Sequence, residues 1–234
     1  MLPRVILHNA LSVDGRMDWV TPDLGQFYDL ASRFAEDATL VGSNTVLTAM
    51  GDADEEEASP PTEEEPSDTR PLLVIPDSRG RVRNWQYLRK QPYWRAAVAL
   101  CSRSTPEEYL RYLREQHVDC ITTGDDHADL RTALEELNAR YGVKTVRADC
   151  GGTLNGALLR AGLVDEISIL IDPTLIGGNA PHYLFQAPDL TSAEGVIRLK
   201  LAHVEKLKAD TLWLRYEIVR SQPSAGSESG QARR

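Results

Sequence analysis

The chain lacks most of the sequence features that would directly indicate a structural or functional class of protein. It has three cysteines and no CxxC spacing, so neither a disulfide framework nor a zinc site is indicated. No apolar run approaches the ~20 residues that a transmembrane helix needs, and the N-terminal segment lacks the pattern of a signal peptide. Basic patches interleaved with aromatic residues are absent too. We therefore expect a cytoplasmic protein with no metal, no membrane partner and no nucleic-acid partner.

The net charge of −9 comes from one segment. Nine acidic residues and no Lys or Arg lie from Asp52 to Asp68, and the rest of the chain is neutral overall. Because prolines are interspersed among these acids, the sequence predicts a solvated, mobile insert at 51–70. The Ser- and Gly-rich stretch 221–234 has nothing to bury and is predicted to be a disordered tail. One domain is expected over 1–220.

Strand patterns alternate with helix patterns over most of this domain. The alternation predicts a single α/β domain with a mixed, mostly parallel central sheet and helices on both faces. Thr21-Pro22 and the capping box at 105–108 are predicted to start two of the helices. From Ile197 to Arg220, two stretches instead alternate apolar and polar residues around the turn LKAD, which predicts a C-terminal antiparallel hairpin.

Glycines or polar residues follow four of the predicted strands. In such sheets, ligands bind outside the carboxyl ends of the strands. The segment ADCGGTLNG sets Gly151 and Gly152 between a strand and a helix, and the first amides of a helix suit a phosphate. A tight strand-to-helix turn with Thr153 as the helix cap explains the same glycines. Both interpretations remain open from these residues alone.

Two further strand ends offer groups of the same kind. The segment LVGSNTV ends a strand at Gly42 and places Thr45 shortly after it, although the GxGxxG fingerprint of a standard dinucleotide site is absent. The turn DSRGR brings Ser78, Arg79 and Arg81 around a glycine, and two arginines with a hydroxyl suit a phosphate such as the 2′-phosphate of NADP. A solvated polar turn explains the arginines equally well.

The fourth segment, HNALSVDGR, ends the first strand. It gathers Asn9, Ser12, Asp14 and Arg16 within one turn and bend. A simple turn at Asp14-Gly15 explains part of this pattern. The concentration of polar groups at the carboxyl end of a strand also indicates a functional role.

In chain order, the segments HNALSVDGR, LVGSNTV, VIPDSRGR and CGGTLNGALLRAGLVDEISILIDPTLIGG resemble the reductase domain of riboflavin biosynthesis. That family includes stand-alone archaeal and fungal reductases and the RibD C-terminal domain of the bacterial bifunctional deaminase-reductase. Its fold is similar to dihydrofolate reductase. The resemblance, from about residue 4 to 219, implies an NADPH-dependent reductase that converts a ribosylaminopyrimidine 5′-phosphate to its ribitylamino form. A homodimer is the common assembly in the family.

The resemblance also implies ligand contacts, carried over by position. The residues expected to bind NADPH are Gly42, Thr45, Ser78, Arg79, Arg81, Gly151, Gly152, Thr153 and Leu154. Asn9 and Ser12 are expected on the substrate side, and Arg16 and Arg33 are the candidates for its phosphate. Asp14, the one carboxylate of the substrate-side segment, is the candidate catalytic proton donor, although a hydrogen bond to the pyrimidine or ribose is an equal alternative.

Two departures from the family pattern leave the substrate open. The family has an acidic pair and a proline shortly after the position of Thr45, where this chain has LTAMG and the acidic insert. Cys150 stands where a third glycine is common. The alternatives are an NADPH reductase of another small carbonyl, imine or pteridine, and an inactive nucleotide-binding regulator. A serine hydrolase is not supported, because no GxSxG motif occurs. Among the histidines only His182 is placed near a site, and a surface or packing role is favoured even there.

Overall fold

The computed structural model of the chain describes residues 1–50, 68–179 and 182–220. The tail predicted over 221–234 lies outside the described residues, as does the acidic insert apart from residues 68–70. The domain limits therefore stay a prediction. Within the described residues, no helix combines the length and apolar character needed to cross a membrane.

Nine strands and six α-helices make up the described residues. The strands are β1 (Arg4–Ser12), β2 (Ala38–Val41), β3 (Leu72–Pro76), β4 (Ala96–Cys101), β5 (Asp119–Thr122), β6 (Thr145–Asp149), β7 (Glu166–Asp172), β8 (Leu199–Lys206) and β9 (Leu212–Ile218). The helices are α1 (Leu24–Ser32), α2 (Ser43–Met50), α3 (Trp85–Arg89), α4 (Glu107–Glu115), α5 (Leu130–Tyr141) and α6 (Gly152–Arg160). Short 3-10 turns cover Ala193–Gly195 and Lys208–Asp210.

All nine strands form one sheet in the order β5-β4-β3-β2-β6-β1-β7-β9-β8. The first seven strands of this order run parallel. Strand β9 pairs antiparallel with β7 and with β8, so the last two strands form the predicted hairpin. The predicted mixed, mostly parallel sheet is confirmed. Because β3, β2, β6 and β1 are neighbours and parallel, the four segments that follow them leave the sheet at the same edge.

Helices cover both faces of the sheet, as predicted. Successive residues of a strand point to opposite faces. Leu7 and Val74 therefore pack on one face with residues of α5 and α6. On the other face, Ile75 packs with residues of α2, α3 and α4, and Ile6 packs with α1. Since strands buried on both faces must be apolar throughout, the runs VIL and LLVI are continuous rather than alternating.

Two predicted helix starts are wrong by one or two residues. Helix α1 is capped by Asp23, whose Oδ1 accepts from the Gln26 amide at 3.0 Å, and not by Thr21-Pro22. Thr105 does not cap α4, because its hydroxyl instead donates to the Ser78 carbonyl at 2.9 Å. This bond ties the loop after β4 to the turn after β3. Helix α3 has no counterpart among the predicted elements.

Candidate functional site

The segments that follow β3, β2, β6 and β1 contact one another along the carboxyl edge of the sheet. Arg81, after β3, donates from Nη2 to Ser43 Oγ at the start of α2, at 2.9 Å. A Cβ on Gly42 would lie 3.9 Å from Cδ2 of Leu154 in α6. Asn9 of β1 donates from Nδ2 to the Cys150 carbonyl at 2.9 Å. The structure thus brings the four predicted segments into one continuous surface.

The DSRGR turn is held from below by a buried carboxylate. Asp77 Oδ2 accepts from the amides of Arg81 and Val82 at 2.6 and 2.8 Å and from the Tyr109 hydroxyl at 2.9 Å. Gly80 has φ +65 and lies against Tyr109, where a Cβ would come within 2.7 Å of the ring, so no other residue fits. This support leaves the arginine side chains of the turn on the surface.

The residues predicted to bind the 2′-phosphate differ in whether their polar side-chain atoms already make hydrogen bonds within the chain. Arg79 and Arg81 are exposed. Ser78 Oγ accepts a hydrogen bond from the Ala128 amide at 2.9 Å, which fixes the turn to the loop after β5. The hydroxyl of Ser78 keeps a proton that it can donate. The two guanidinium groups are therefore the main anion-binding groups of this turn.

The two glycines at the start of α6 differ in their surroundings. Gly152 must be bare because a Cβ would lie 2.0 Å from the Tyr183 carbonyl oxygen. Gly156, one turn later, packs equally closely, with a Cβ position 1.8 Å from the Gln186 carbonyl oxygen. Gly151 is the N-cap, and among the described residues no atom lies within 4 Å of its Cβ position and no side chain caps the helix there. Packing against the segment at 183–186 thus explains the glycine at position 152, and phosphate binding at Gly151 stays a prediction.

Thr153 and Leu154 occupy the first turn of α6. The first four amides of a helix have no partner within the helix. Thr153 directs its hydroxyl to Gln186 Oε1 at 3.0 Å and does not cap the helix. The first turn of α6 therefore offers backbone amides at an uncapped end, which suits an anion.

Asn9 and Asn155 join β1 to the loop that opens α6. Both side-chain amides donate to the Cys150 carbonyl, at 2.9 and 3.0 Å, and Asn155 also donates to Asn9 Oδ1 at 3.1 Å. Both side chains are buried. The predicted substrate contact by Asn9 stays a prediction, and this geometry instead favours a role in fixing the glycine loop.

Asp14 and Ser12 build the loop that follows β1. Asp14 accepts from Ser12 Oγ at 2.7 Å and from the amides of Ile176 and Gly177 at 3.1 and 2.7 Å. These hydrogen bonds, led by the one from Ser12, lower the pKa of Asp14 to about 2. A carboxylate that holds no proton at neutral pH is a poor proton donor. Proton donation by Asp14 stays a prediction against which this geometry weighs.

The two arginines predicted for the substrate phosphate lie in different places. Arg16 is buried, donates to the Gly178 carbonyl and stacks with its guanidinium 4.2 Å from the centre of the Tyr183 ring. Arg33 follows α1, which returns the chain to the edge where β2 begins, and its guanidinium pairs with Asp29 at 3.7 Å. The structure therefore does not bring Arg33 to the carboxyl edge.

Asp149 is a candidate that the sequence analysis did not single out. It ends β6 directly before the glycine loop, and its Oδ2 lies 3.3 Å from Nη1 of the buried Arg147. The side chain keeps 29% of its surface open, yet burial raises the pKa of its carboxyl while Arg147 opposes the shift. An acidic residue at a strand end before two glycines is a sequence signal, and only the fold shows that it is partly buried beside Arg147.

These observations define a class of protein. It is an α/β protein whose mixed sheet carries three groups along one edge, namely an uncapped helix start, an arginine turn and a partly buried carboxylate. An open Gly151 and exposed guanidinium groups fit a ligand with more than one phosphate, such as a dinucleotide.

The sequence model of the RibD C-terminal domain family matches residues 3–213, and the chain belongs to this family. The resemblance inferred from the sequence is thereby confirmed. The chain is 29% identical over 226 residues to the 2,5-diamino-6-ribosylamino-4(3H)-pyrimidinone 5′-phosphate reductase of Methanothermobacter thermautotrophicus, covering 91% of this chain and 97% of that protein. It is 33% identical over 220 residues to the protein of the same name from Archaeoglobus fulgidus, covering 89% and 94%.

A solved structure shares the fold. The pyrimidine reductase-like protein of Corynebacterium diphtheriae superposes with a TM-score of 0.70 over 94% of this chain and 93% of that chain, at 18% identity. At this identity the comparison shows the fold alone.

Proposed function

We propose that this protein is an NADPH-dependent reductase that converts a ribosylaminopyrimidine 5′-phosphate to its ribitylamino form in riboflavin biosynthesis. Membership of the family and the reaction named for the two archaeal relatives support this function. The observation that carries the proposal is the continuous carboxyl edge, where an uncapped helix start and an arginine turn lie on either side of Gly42.

NADPH would be held by the segments after β2, β3 and β6. The amides of Gly152, Thr153 and Leu154 would receive the pyrophosphate, because they lie at the uncapped start of α6. Gly42 and Thr45 would line the middle of the site. Arg79 and Arg81, with the hydroxyl of Ser78, would receive the 2′-phosphate. When bound, the nicotinamide supplies a hydride.

The substrate would lie over the loop after β1. Asn9, Ser12 and Arg16 would shape this side of the site through the contacts that they make within the chain. Asp14 holds the amides of Ile176 and Gly177 and would thereby fix the floor under the substrate. Asp149, at the junction of the two sides, would accept hydrogen bonds from the pyrimidine or ribose.

A homodimer in the cytoplasm is part of this proposal. Strand β8 is one of the two edge strands of the sheet, and it exposes Leu199, Leu201 and Val204. A sheet edge with exposed apolar side chains is typical of a surface that pairs with another chain. Light scattering of the wild type and of Leu201→Lys checks the dimer, since a monomeric wild type or an unaffected variant would contradict this surface.

The test is a titration followed by a turnover assay. Purified protein is titrated with NADPH and NADH by nicotinamide fluorescence, and the ribosylaminopyrimidine 5′-phosphate is then added while nicotinamide absorbance is followed. Preferential NADPH binding with oxidation on adding substrate supports the proposal. Binding without oxidation directs the search to another carbonyl, imine or pteridine substrate, or to a regulator without activity. Absence of binding contradicts the cofactor site.

A further inference from the structure

Two side chains far apart in the sequence pair beside the candidate site. His182 Nδ1 lies 2.5 Å from Asp18 Oδ2. The backbones of the two segments are joined as well. The Met17 amide donates to the His182 carbonyl at 3.0 Å, and Arg16 forms an isolated antiparallel β-bridge with Tyr183. The imidazole is thus oriented by a carboxylate on a segment that is itself fixed.

The position of this pair lies between the two sides of the proposed site. The carbonyl of Tyr183 packs against Gly152, and the Gln186 amide donates to the Gly152 carbonyl at 3.0 Å. The segment that begins at His182 therefore runs along the first turn of α6. Its other neighbour is the loop after β1, through Met17. His182 stands where the segments proposed for the cofactor and the substrate meet.

The charged groups on the segments packed against His182 are already assigned, apart from its partner. Asp14 accepts the amides of Ile176 and Gly177, and Arg16 donates to the Gly178 carbonyl. The first turn of α6 carries no charged side chain. Asp18 is therefore the carboxylate that orients the imidazole. The side chains of His182 and Asp18 are 58% and 33% exposed, so the ring is within reach of a ligand.

We infer that His182, oriented by Asp18, donates the proton that the reduction consumes, which rests on the function proposed above. The proton passes from Nε2 to the ribose ring oxygen as the C1′–O4′ bond breaks, and that bond's electron pair stays on O4′. The lone pair of the exocyclic nitrogen forms a C1′=N bond. C1′ then accepts a hydride, and that bond's π electrons return to the nitrogen. The net change is one proton and one hydride added, and His182 regains its proton from solvent. Asp18 is a positioning residue.

The experiment compares four variants with the wild type. His182→Gln and His182→Ala remove the donor, and Asp18→Asn removes its orienting charge. His203→Gln is the matched control, because His203 also pairs with a carboxylate, Glu205, at 3.1 Å, but lies on the edge strand β8. The measurements are kcat, KM, the NADPH dissociation constant, rescue of His182→Ala by imidazole, and the ¹⁵N resonances of the His182 ring.

Loss of a general acid predicts a fall in kcat of about 10²- to 10⁴-fold in His182→Gln, with NADPH affinity unchanged. Imidazole should restore turnover to His182→Ala. Asp18→Asn should lose about 10-fold or more in kcat, as expected for a charge-assisted hydrogen bond, and should move the Nδ1 resonance of His182. His203→Gln should match the wild type in every measurement.

Two results would overturn the inference alone. One is a His182→Gln variant whose kcat equals that of an active wild type. The other is a loss of activity that appears as a higher KM and that imidazole does not restore, since this would indicate substrate binding. A wild type that binds NADPH but does not reduce the ribosylaminopyrimidine phosphate would overturn the proposed function, and this inference with it.

Discussion

At the scale of single residues, the neighbouring glycines 151 and 152 differ in the space around their Cβ positions, although they are adjacent in the sequence. A Cβ at position 152 would meet the Tyr183 carbonyl oxygen at 2.0 Å, whereas a Cβ at position 151 would meet no described atom within 4 Å. The bareness of Gly152 is explained by packing of the chain on itself. No contact within the described residues explains why position 151 is a glycine, whereas close approach of a bound ligand would explain it.

Gly152→Ala is expected to destabilise the protein by about 1–3 kcal/mol, because the segment at 183–186 must move away from α6 to admit the methyl group. Urea unfolding measures the change. Gly151→Ala is the matched control, with φ −73 and open space, and should cost less than about 1 kcal/mol. Its NADPH affinity should instead fall by about tenfold. Equal stability losses in both variants would contradict the assignment.

His8 carries a pH dependence of stability. Its ring is buried between the Phe27 carbonyl at 3.1 Å and Ser168 Oγ at 2.9 Å, and burial lowers its pKa to about 4. The unfolded chain binds a proton near pH 6.5 and the folded chain does not, so stability is complete above that pH and falls as the pH drops towards 4. The loss from about pH 7.5 to about pH 5 should be about 2 kcal/mol.

Unfolding by urea at both pH values checks this prediction in the wild type, His8→Gln and His203→Gln. The variant at His8 should lose this part of the pH dependence whatever its own stability. His203→Gln, which changes a half-exposed pair on the edge strand β8, should leave it unchanged. A His8→Gln variant with the full wild-type pH dependence would show that the titrating group lies elsewhere.

At the scale of single residues, the sequence indicated which polar residues group together but not their hydrogen-bond partners. Asn9, Ser12 and Asp14 stand together in the chain, and their grouping at a strand end was predicted. Ser12 bonds the nearby Arg16 amide, but the hydrogen bonds of Asn9 and Asp14 reach Cys150 and the loop at 176–177, which only the fold brings near. The pairing of Asp18 with His182 spans 164 residues, so no local pattern indicates it.

Among elements, the loop after β1 and the loop after β7 are joined by several hydrogen bonds, two of which end on the Asp14 carboxylate. Asp14 accepts the amides of Ile176 and Gly177, and its low pKa of about 2 keeps it charged at any working pH. The Asp14 carboxylate thus holds the middle of the loop at 174–178, whose two ends are held by the Val13 amide, which donates to the Thr174 carbonyl, and by Arg16, which donates to the Gly178 carbonyl. The order of this loop should be the property most sensitive to change at Asp14.

Asp14→Asn should raise the hydrogen-exchange rate of the amides of Ile176 and Gly177, because a neutral amide accepts more weakly than a carboxylate. KM for the substrate should rise, and NADPH affinity should stay unchanged. Amide exchange followed by NMR gives the first result and steady-state kinetics the second. Unchanged exchange together with a large loss of kcat would instead support Asp14 as the proton donor.

The turn after β3 sets the choice of cofactor in this account. Arg81 is exposed, and its contact with Ser43 joins the turn to the start of α2. Arg81→Gln should weaken NADPH binding by about 10- to 100-fold, the loss of a charge-assisted bond, and leave NADH binding unchanged. Arg103→Gln, which removes a more exposed arginine paired with Asp125, is the control. An equal loss for both nucleotides would contradict a 2′-phosphate contact.

The elements themselves were largely predictable because buried parallel strands are short apolar runs. Boundaries were less so. Thr105 followed by Pro-Glu-Glu has the spacing of a capping box, yet its hydroxyl bonds the Ser78 carbonyl across the sheet edge. Tertiary contacts thus override a local preference. Helix α3 is only five residues long, which is too short for periodicity to indicate.

For the whole molecule, strand order places the chemistry. The alternation of strands and helices predicts a parallel sheet but not its order, because residues at 38–41 and 145–149 become neighbours across the sheet only in the fold. That neighbouring relation brings Gly42 beside Leu154 and so joins the two halves of the cofactor edge. The function proposed here depends on this edge more than on any single side chain.

The most direct test of the account follows the hydride. Two forms of NADPH are used, each carrying deuterium on a different face of C4. Each form is incubated with the wild-type protein and the ribosylaminopyrimidine 5′-phosphate, and the product is analysed by mass spectrometry and NMR. One of the two labelled forms should deliver a single deuterium to C1′ of a ribitylamino product. A folded protein that binds NADPH but leaves the substrate unchanged, or yields product without label at C1′ from either form, would contradict the reductase that this structure supports.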